Sequence, residues 1–338
     1  MIDIFNPLVS KITKSLEGKT MLVYGTNRTG KTFNCVKAEK PLVLALEDGL
    51  HGLNGVPYVR IQTWRDWMDS IKALTSAATL EKARATYQTI IVDSIDGMEI
   101  LAKDFICQLQ GVNSLQDGKY GSAWAAYSEQ LTKWIKTLTN SGYTVIFIGH
   151  EGTREQLDEK GATYNQIYPK GDKRVVDIVC SLVDIIAYAQ PQSMSENGTK
   201  INSTLYLTGT KAFHAGTRFD GIVPMIAEWD MKKLETAIAD YVALQEKGGV
   251  KTVSYEESKK EIEDAAKSKW ASTPIAELVN TCVEKAGALI EKNGGDPSKY
   301  QDLLFREFNT RDFKVSKCNE QQRPQVEQLL DALIAEGV

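Results

Sequence analysis

The residues best suited to chemistry lie in one short stretch, where two glycines stand five positions apart and the second is followed by Lys31 and Thr32. Glycine backbones can fold tightly enough for successive N–H groups to surround a phosphate. The lysine can reach the β- and γ-phosphates of a nucleotide, and the threonine hydroxyl can bind Mg²⁺. The spacing therefore predicts a phosphate-binding loop rather than a glycine-rich turn without a ligand. Its nucleotide contacts are expected from Gly25, Thr26, Asn27, Arg28, Thr29, Gly30, Lys31, Thr32 and Phe33.

Three further candidates follow apolar segments that are predicted to be buried strands. The segments are 42–46, which precedes Glu47, 89–92, which precedes Asp93, and 143–148, which is followed by Gly149 and His150. Strands that alternate with helices indicate a mainly parallel sheet with helices on both faces. Ligands of such sheets bind at the carboxyl ends of the strands. We therefore expect these side chains beside the phosphate-binding loop.

Each of the three candidates has a chemical role and a simpler alternative. Asp93 is predicted to hold Mg²⁺ through a water opposite Thr32, and its alternative is a helix N-cap. Glu47 is predicted to orient and deprotonate the attacking water, and its alternative is a solvated turn carboxylate beside Asp48. His150 is predicted to contact the γ-phosphate and to report its loss to the following loop. Its alternative is a strand-end histidine with satisfied hydrogen bonds.

The elements that must position these residues are predicted from hydrophobic periodicity and from glycine and proline breaks. The first strand is expected at 20–24, and the helix after the phosphate-binding loop should reach residue 40. Segment 111–121 is predicted to be a loop, and 151–174 a long loop or β-hairpin. Two more strands are predicted at 183–188 and 203–207. The other predicted helices are 7–17, 64–74, 79–87, a helix ending near 110, 123–140, 173–182, 231–246, 255–269, 273–293, 296–308 and 319–336.

These elements predict an α/β fold with two domains. Residues 1–248 should form a P-loop domain with a mainly parallel sheet between helices. Residues 249–338 should form a small helical domain, because the chain is polar and rich in glycine near 246–252 and strongly helical beyond it. The helical domain contains no motif for nucleotide, metal or nucleophile chemistry, and a docking module and an oligomerisation module are both open.

Composition excludes several classes of protein. The 338 residues contain no run of eighteen apolar residues, so neither a transmembrane helix nor a membrane partner is predicted. The start of the chain lacks the basic and apolar regions of a secretion signal. The five cysteines are scattered without metal-binding spacing, which indicates reduced thiols in a cytoplasmic protein. The net charge of −4 means that any nucleic-acid site must be a local patch.

The order of motifs resembles the core of RecA-type recombinases. A phosphate-binding loop is followed by an apolar strand ending in glutamate, then by "TIIVDSI" and by "VIFIGHE". In that family the glutamate is catalytic, the aspartate of the second motif belongs to the Walker B strand, and a polar residue ending the third senses the γ-phosphate. Histidine at the last position is similar to phage-encoded RecA-like proteins, which include ATP-dependent single-strand annealing proteins. The resemblance covers roughly residues 18–245.

The resemblance also implies assembly, because RecA-like subunits pack side by side and a basic residue of one reaches the nucleotide of the next. The segment "TKAFHAGTRFDG" offers Lys211 and Arg218 for this role. Several relatives have a compact Lys-x-Arg-Phe-Gly motif, whereas Gly216 stands here in place of its lysine. The alternative is that both residues are solvated surface cations.

Relatives bind DNA through loops after the Walker B and sensor strands, which correspond to 111–121 and 151–174. Cations in the second loop could neutralise phosphates, and tyrosines could stack on bases. The alternative is an ordinary exposed hairpin. The predicted DNA-binding residues are Arg154, Lys160, Tyr164, Tyr168, Lys170, Lys173 and Arg174.

Together, the residues and the resemblance predict a phage-type ATPase in the cytoplasm of a bacterial host. It would bind single-stranded DNA, hydrolyse ATP with Mg²⁺ under DNA stimulation, and promote annealing or strand exchange as a homo-oligomeric ring or filament. A single-strand-binding protein is a further candidate partner. Two alternatives stay open: a P-loop loader or motor acting on a partner protein, and a nucleotide-switched assembly module with little turnover.

Overall fold

A computed structural model describes residues 9–76, 78–191, 203–266, 270 and 273–338. The chain divides into a larger unit, Lys11–Tyr255, and a second unit that contains Glu256–Val338. The sequence predicted a domain boundary after residue 248. In the structure the larger unit extends beyond that point, because Thr252–Val253 pair in parallel with Ile12–Thr13.

The elements occur in the following order. The strands are β1 (Ile12–Thr13), β2 (Thr20–Gly25), β3 (Pro41–Ala45), β4 (Tyr58–Arg60), β5 (Thr89–Asp93), β6 (Thr144–Leu157), β7 (Thr163–Pro169), β8 (Ile185–Pro191), β9 (Ser203–Tyr206), β10 (Gly216–Thr217), β11 (Met225–Ile226) and β12 (Thr252–Val253). The helices are α1 (Lys31–Cys35), α2 (Trp64–Thr75), α3 (Leu80–Thr86), α4 (Ile95–Gln110), α5 (Ser122–Thr139), α6 (Lys173–Leu182), α7 (Met231–Lys247), α8 (Tyr255–Ala266), α9 (Ile275–Lys292), α10 (Ser298–Phe308) and α11 (Arg323–Ala335).

One ten-stranded sheet organises the larger unit. Its main order is β11-β9-β8-β2-β6-β5-β3-β4, with β10 beside β8 and β7 beside β6. The strands from β8 to β4 in this order are parallel to one another, whereas β7, β9, β10 and β11 pair antiparallel with their neighbours. The predicted α/β fold with a mainly parallel sheet is confirmed.

Apolar side chains cover both faces of the sheet. Every residue of β2 is buried: Leu22 and Tyr24 join the core on one face, and Met21 and Val23 join the core on the other. Helices α2, α4, α5 and α6 supply the first core, and α7 contributes to the second. Continuous apolar strands are therefore stable here because helices remove both of their faces from water.

The strand register brings the candidate residues to one edge of the sheet. Gly25 at the end of β2 pairs with His150 in β6, and Asp93 at the end of β5 pairs with Ile148. Glu47 follows β3, whose last residue pairs with Asp93. The strand that carries the histidine therefore lies between the strand of the phosphate-binding loop and the Walker-B-type strand.

Several predicted elements differ from the structure. The predicted helix 7–17 is wrong over its described part, because Ile12–Thr13 form a short strand and a turn follows them. The helix after the phosphate-binding loop has five residues and ends at Cys35, well before residue 40. Segment 151–174 contains a β-hairpin, since β6 continues past the sheet edge to Leu157 and pairs with β7.

The second unit has its own apolar core. Helices α9, α10 and α11 supply most of it, including Leu278, Cys282, Leu304, Val326 and Leu330. The predicted helices 273–293, 296–308 and 319–336 correspond to these three, although the last begins only at Arg323. Among the described residues, no helix combines the length and the apolar character needed to cross a membrane.

Candidate active site

The phosphate-binding loop connects β2 to α1 through backbone conformations that require glycine. Gly25 has φ 158° and Gly30 has φ 77°, a region that strongly favours glycine. A Cβ atom on Gly25 would lie 2.2 Å from the carbonyl oxygen of Ala189 in β8. Both glycines of the motif are therefore explained by geometry as well as by chemistry.

Lys31 lies folded over the loop that it follows. Its Nζ donates to the carbonyl oxygens of Gly25, at 2.9 Å, and Thr26, at 2.8 Å, and the side chain is buried. Burial lowers the pKa of this lysine, while the nearby Asp93 acts in the opposite direction. The loop thus holds a buried cation where a polyphosphate would approach.

Thr32 and Asp93 form the oxygen pair expected around Mg²⁺. The threonine hydroxyl donates to Oδ2 of the aspartate at 2.8 Å. Burial raises the pKa of Asp93, and the hydrogen bond from Thr32 opposes that shift. A hydroxyl and a carboxylate are ligands that Mg²⁺ accepts, so the residues present fit a Mg²⁺–nucleotide complex.

Glu47 lies beside this pair, and its side chain is held by Ser94, the residue that follows Asp93. The hydroxyl of Ser94 donates to Oε1 of Glu47. The glutamate side chain is 38% exposed, and its Oε1 lies 4.0 Å from Nδ1 of His150. A partly solvated carboxylate fixed at one oxygen is suited to accept a proton from a water at the other.

His150 is bound by a residue that the sequence analysis did not identify. Its Nδ1 contacts Oδ2 of Asp96, in the first turn of α4. This hydrogen bond, followed by the charges of Asp96 and Glu47, raises the pKa of the histidine, whereas burial lowers it. The only sequence signal for Asp96 was an acidic residue in a first helical turn, which is common for electrostatic reasons alone.

The structure does not bring Arg218 to this edge. Its guanidinium donates to Oδ1 of Asp184 at 3.1 Å and to the carbonyl oxygen of Ser181 at 2.9 Å. Asp184 immediately precedes β8 and bonds Thr20 at the start of β2. Because β2 is six residues long, its two ends are about 16 Å apart. Arg218 is thus far from its own phosphate-binding loop, and its role in a neighbouring subunit stays a prediction.

Lys211 lies against the β6–β7 hairpin. Its Nζ is 5.9 Å from the ring centre of Tyr164, and the adjacent Ala212 accepts a backbone hydrogen bond from Ile167. The lysine is exposed. A contact from Lys211 to a neighbouring subunit also stays a prediction.

Two of the seven predicted DNA-binding residues, Arg154 and Tyr168, pack against each other within the fold. The guanidinium of Arg154 lies 4.0 Å from the ring centre of Tyr168 and donates to Asp177 at 2.7 Å. Tyr168 is buried and stacks on His214, with ring centres 4.3 Å apart. These contacts join the hairpin to α6 and to the segment after β9, so both side chains have structural partners.

The other cations of the predicted site are exposed. Lys160 lies near the hairpin turn, while Lys170, Lys173 and Arg174 follow the hairpin and begin α6. The guanidinium of Arg174 lies 4.1 Å from the ring centre of Trp124. On the two strands of the hairpin, the outward positions alternate with the half-buried ones and include Glu155 but no cation. The exposed positive charge is therefore concentrated after the hairpin.

The comparison with known proteins agrees with this geometry. Residues 17–219 match a family described as an AAA domain. The chain belongs to this family. A similar protein is the "SPbeta prophage-derived uncharacterized protein YorG" of Bacillus subtilis (strain 168), which is 39% identical over 260 residues, covering 76% of this chain and 77% of the relative.

The AAA domain spans the whole candidate site, from the phosphate-binding loop through His150 and the hairpin to Arg218. Membership in this family confirms a P-loop ATPase domain and implies nucleotide binding. The closer resemblance to RecA-type recombinases, and with it the action on single-stranded DNA, stays an interpretation.

Proposed function

We propose that this chain is a phage ATPase that binds single-stranded DNA, hydrolyses ATP with Mg²⁺ as an oligomer, and promotes annealing or strand exchange. The observation that carries the proposal is the link between the nucleotide edge and the exposed cations. The backbone N–H of Lys170 donates to the carbonyl oxygen of His150 at 2.8 Å. A change at the γ-phosphate sensor would thus reach the start of the cationic segment directly.

Hydrolysis follows from the side chains at the nucleotide edge. Lys31 would contact the β- and γ-phosphates, while Thr32 and Asp93 would hold Mg²⁺. When bound, that ion would supply positive charge that stabilises the phosphates. Glu47 accepts a proton from the attacking water, with Ser94 fixing one carboxylate oxygen, and His150 donates to the γ-phosphate.

DNA binding is assigned to Lys170, Lys173 and Arg174, which we define as the post-hairpin patch. Exposed cations neutralise phosphates without regard to sequence. Trp124 packs on Arg174 in the patch, and Tyr120, four positions before Trp124 in the chain, has a fully exposed side chain. Such rings offer stacking surfaces for bases. The prophage origin of the relative named above supports the phage assignment.

The proposal is tested by the fluorescence anisotropy of a labelled thymidine oligonucleotide. We expect binding at low salt with Mg²⁺ and a slowly hydrolysed ATP analogue, and weaker binding with ADP. Lys31→Ala should lose the difference between the nucleotides, because the phosphates lose their cation. No binding with any nucleotide at low salt would reject the DNA assignment and favour action on a partner protein.

A further inference from the structure

The first turn of α4 reaches His150 through Asp96, and this contact has no place in the hydrolysis scheme above. Oδ2 of Asp96 contacts Nδ1 of the histidine. The other carboxylate oxygen, Oδ1, is buried and has no hydrogen-bond partner in the part of the chain that the structure describes. A buried carboxylate oxygen without a hydrogen-bond partner costs folding free energy. A functional role for Asp96 is the simplest explanation for that cost.

The hydrogen bond decides which nitrogen of His150 is available. A carboxylate accepts from a protonated Nδ1, and this fixes both the ring orientation and the proton on that nitrogen. Nε2 is then the nitrogen left to meet a ligand. The opposite arrangement, in which Nδ1 is unprotonated, would place a lone pair against a carboxylate.

The charges around His150 favour its doubly protonated form. Asp96 in α4 and Glu47 after β3 both raise the pKa of the histidine, while Lys31 in α1 lowers it. The interaction with Asp93 in β5 has the same sense, because His150 lowers the pKa of that carboxyl. The carboxylates that act on the ring therefore outnumber the lysine.

We propose that Asp96 is a positioning residue that holds His150 as a two-donor imidazolium, with Nδ1–H on the carboxylate and Nε2–H donated to the γ-phosphate. The inference rests on the proposed function, since it takes His150 as the γ-phosphate contact. In this arrangement the ring of His150 is a cation rather than a neutral imidazole. The negative charge of the γ-phosphate, and its loss on hydrolysis, would then act on a charged group next to Lys170.

Asp96→Asn tests the charge while keeping a side chain that can still accept from Nδ1. Asp104→Asn is the matched control, because Asp104 is an exposed aspartate on the same helix. The first readout is an NMR titration of the imidazole signals without nucleotide. The chain has three histidines, so His150→Gln assigns the signal.

We expect His150 in the parent to titrate above its ordinary pKa of 6.5, and Asp96→Asn to move the midpoint down while Asp104→Asn leaves it in place. Asp96→Glu, which keeps the carboxylate, should retain part of the raised midpoint and serves if the asparagine variant does not fold. An unchanged midpoint in Asp96→Asn overturns the proposal.

The second readout is the pH profile of ATP hydrolysis. Because the imidazolium is lost as the pH rises through the raised pKa, the alkaline limb of kcat/KM should move to lower pH in Asp96→Asn, with a loss of about tenfold at the parent's optimum. A profile that does not follow the NMR midpoint overturns the catalytic part. A parent chain without ATP turnover contradicts the proposed function instead, and the titration still decides whether Asp96 fixes the imidazole.

Discussion

Four consecutive positions, 93–96, which begin at the last residue of β5, hold most of the candidate site together. Each of three side chains contacts a different functional residue, and the pairs are Asp93 with Thr32, Ser94 with Glu47, and Asp96 with His150. One turn of backbone thus fixes the proposed metal ligand, the proposed base and the proposed sensor relative to one another. Rigid support of this kind matters because catalytic groups lose effectiveness when they are misplaced by about 1 Å.

Replacing Glu47 by glutamine should separate nucleotide binding from hydrolysis. The amide cannot take a proton from water, so we expect turnover to fall by about 10²-fold or more with little change in ATP affinity. Phosphate release and the binding of a fluorescent ATP analogue measure the two effects. Asp48→Asn, at the exposed neighbouring position, should behave like the parent. Near-parental turnover by Glu47→Gln would remove Glu47 as the base.

The sequence predicted the functional residues at strand ends but not the residues that hydrogen-bond to them. Glu47 and His150 were found because continuous apolar runs mark buried parallel strands, whose carboxyl ends share one edge. Ser94 and Asp96 were not identified, because polar residues at the start of a helix usually cap it. Ser94 does have that role as well, since its hydroxyl accepts from the N–H of Gly97. For Arg218 the position was not predictable, because the order of elements along the chain does not tell which edge of a sheet a residue reaches.

At the scale of elements, α4 connects the nucleotide edge to the post-hairpin patch. Its first turn contains Asp96, and one turn later the carboxylate of Glu99 accepts from the backbone N–H of Asp172. Asp172 in turn caps α6, the helix that begins with Lys173 and Arg174. A shift of α4 on hydrolysis would therefore move the patch. Such a movement would make the proposed DNA binding depend on the bound nucleotide.

Replacing Lys170, Lys173 and Arg174 together by alanine should weaken single-strand binding and flatten its salt dependence. Each lost phosphate contact removes about 0.7 from the log–log slope. Anisotropy titrations over a range of salt concentrations measure the slope. The control removes the same charge elsewhere, at the exposed Lys232, Lys247 and Lys251, and should retain the parental slope. Equal binding by the patch variant and the parent at every salt concentration would exclude the patch.

Elements were predicted well where periodicity was long and poorly where it was short. Helices α2, α5 and α7 agree with their predicted bounds within two residues. Strands of two or three residues, such as β4, β10 and β12, carry too few positions to show alternation. The predicted helix 7–17 was amphipathic in sequence, but Ile12–Thr13 instead gain backbone hydrogen bonds from a strand 240 positions away.

At the scale of the whole molecule, the proposed assembly of several copies concerns two features, the position of Arg218 and the distribution of charge. Arg218 lies at the edge where the strands of the sheet begin, so it could serve only the nucleotide of a neighbouring copy. The net charge of −4 opposes general attraction to DNA, which makes affinity depend on a local patch. Several copies side by side would multiply that patch along one strand.

The proposed function couples ATP hydrolysis at this edge to single-stranded DNA. The most direct measurement is the steady-state rate of ATP hydrolysis by the full chain with Mg²⁺, with and without a single-stranded oligonucleotide, using Lys31→Ala as the inactive control. We expect a Mg²⁺-dependent rate that rises with the oligonucleotide and is absent in the variant. A parental rate that is the same with and without single-stranded DNA, at low salt and saturating ATP, would contradict it.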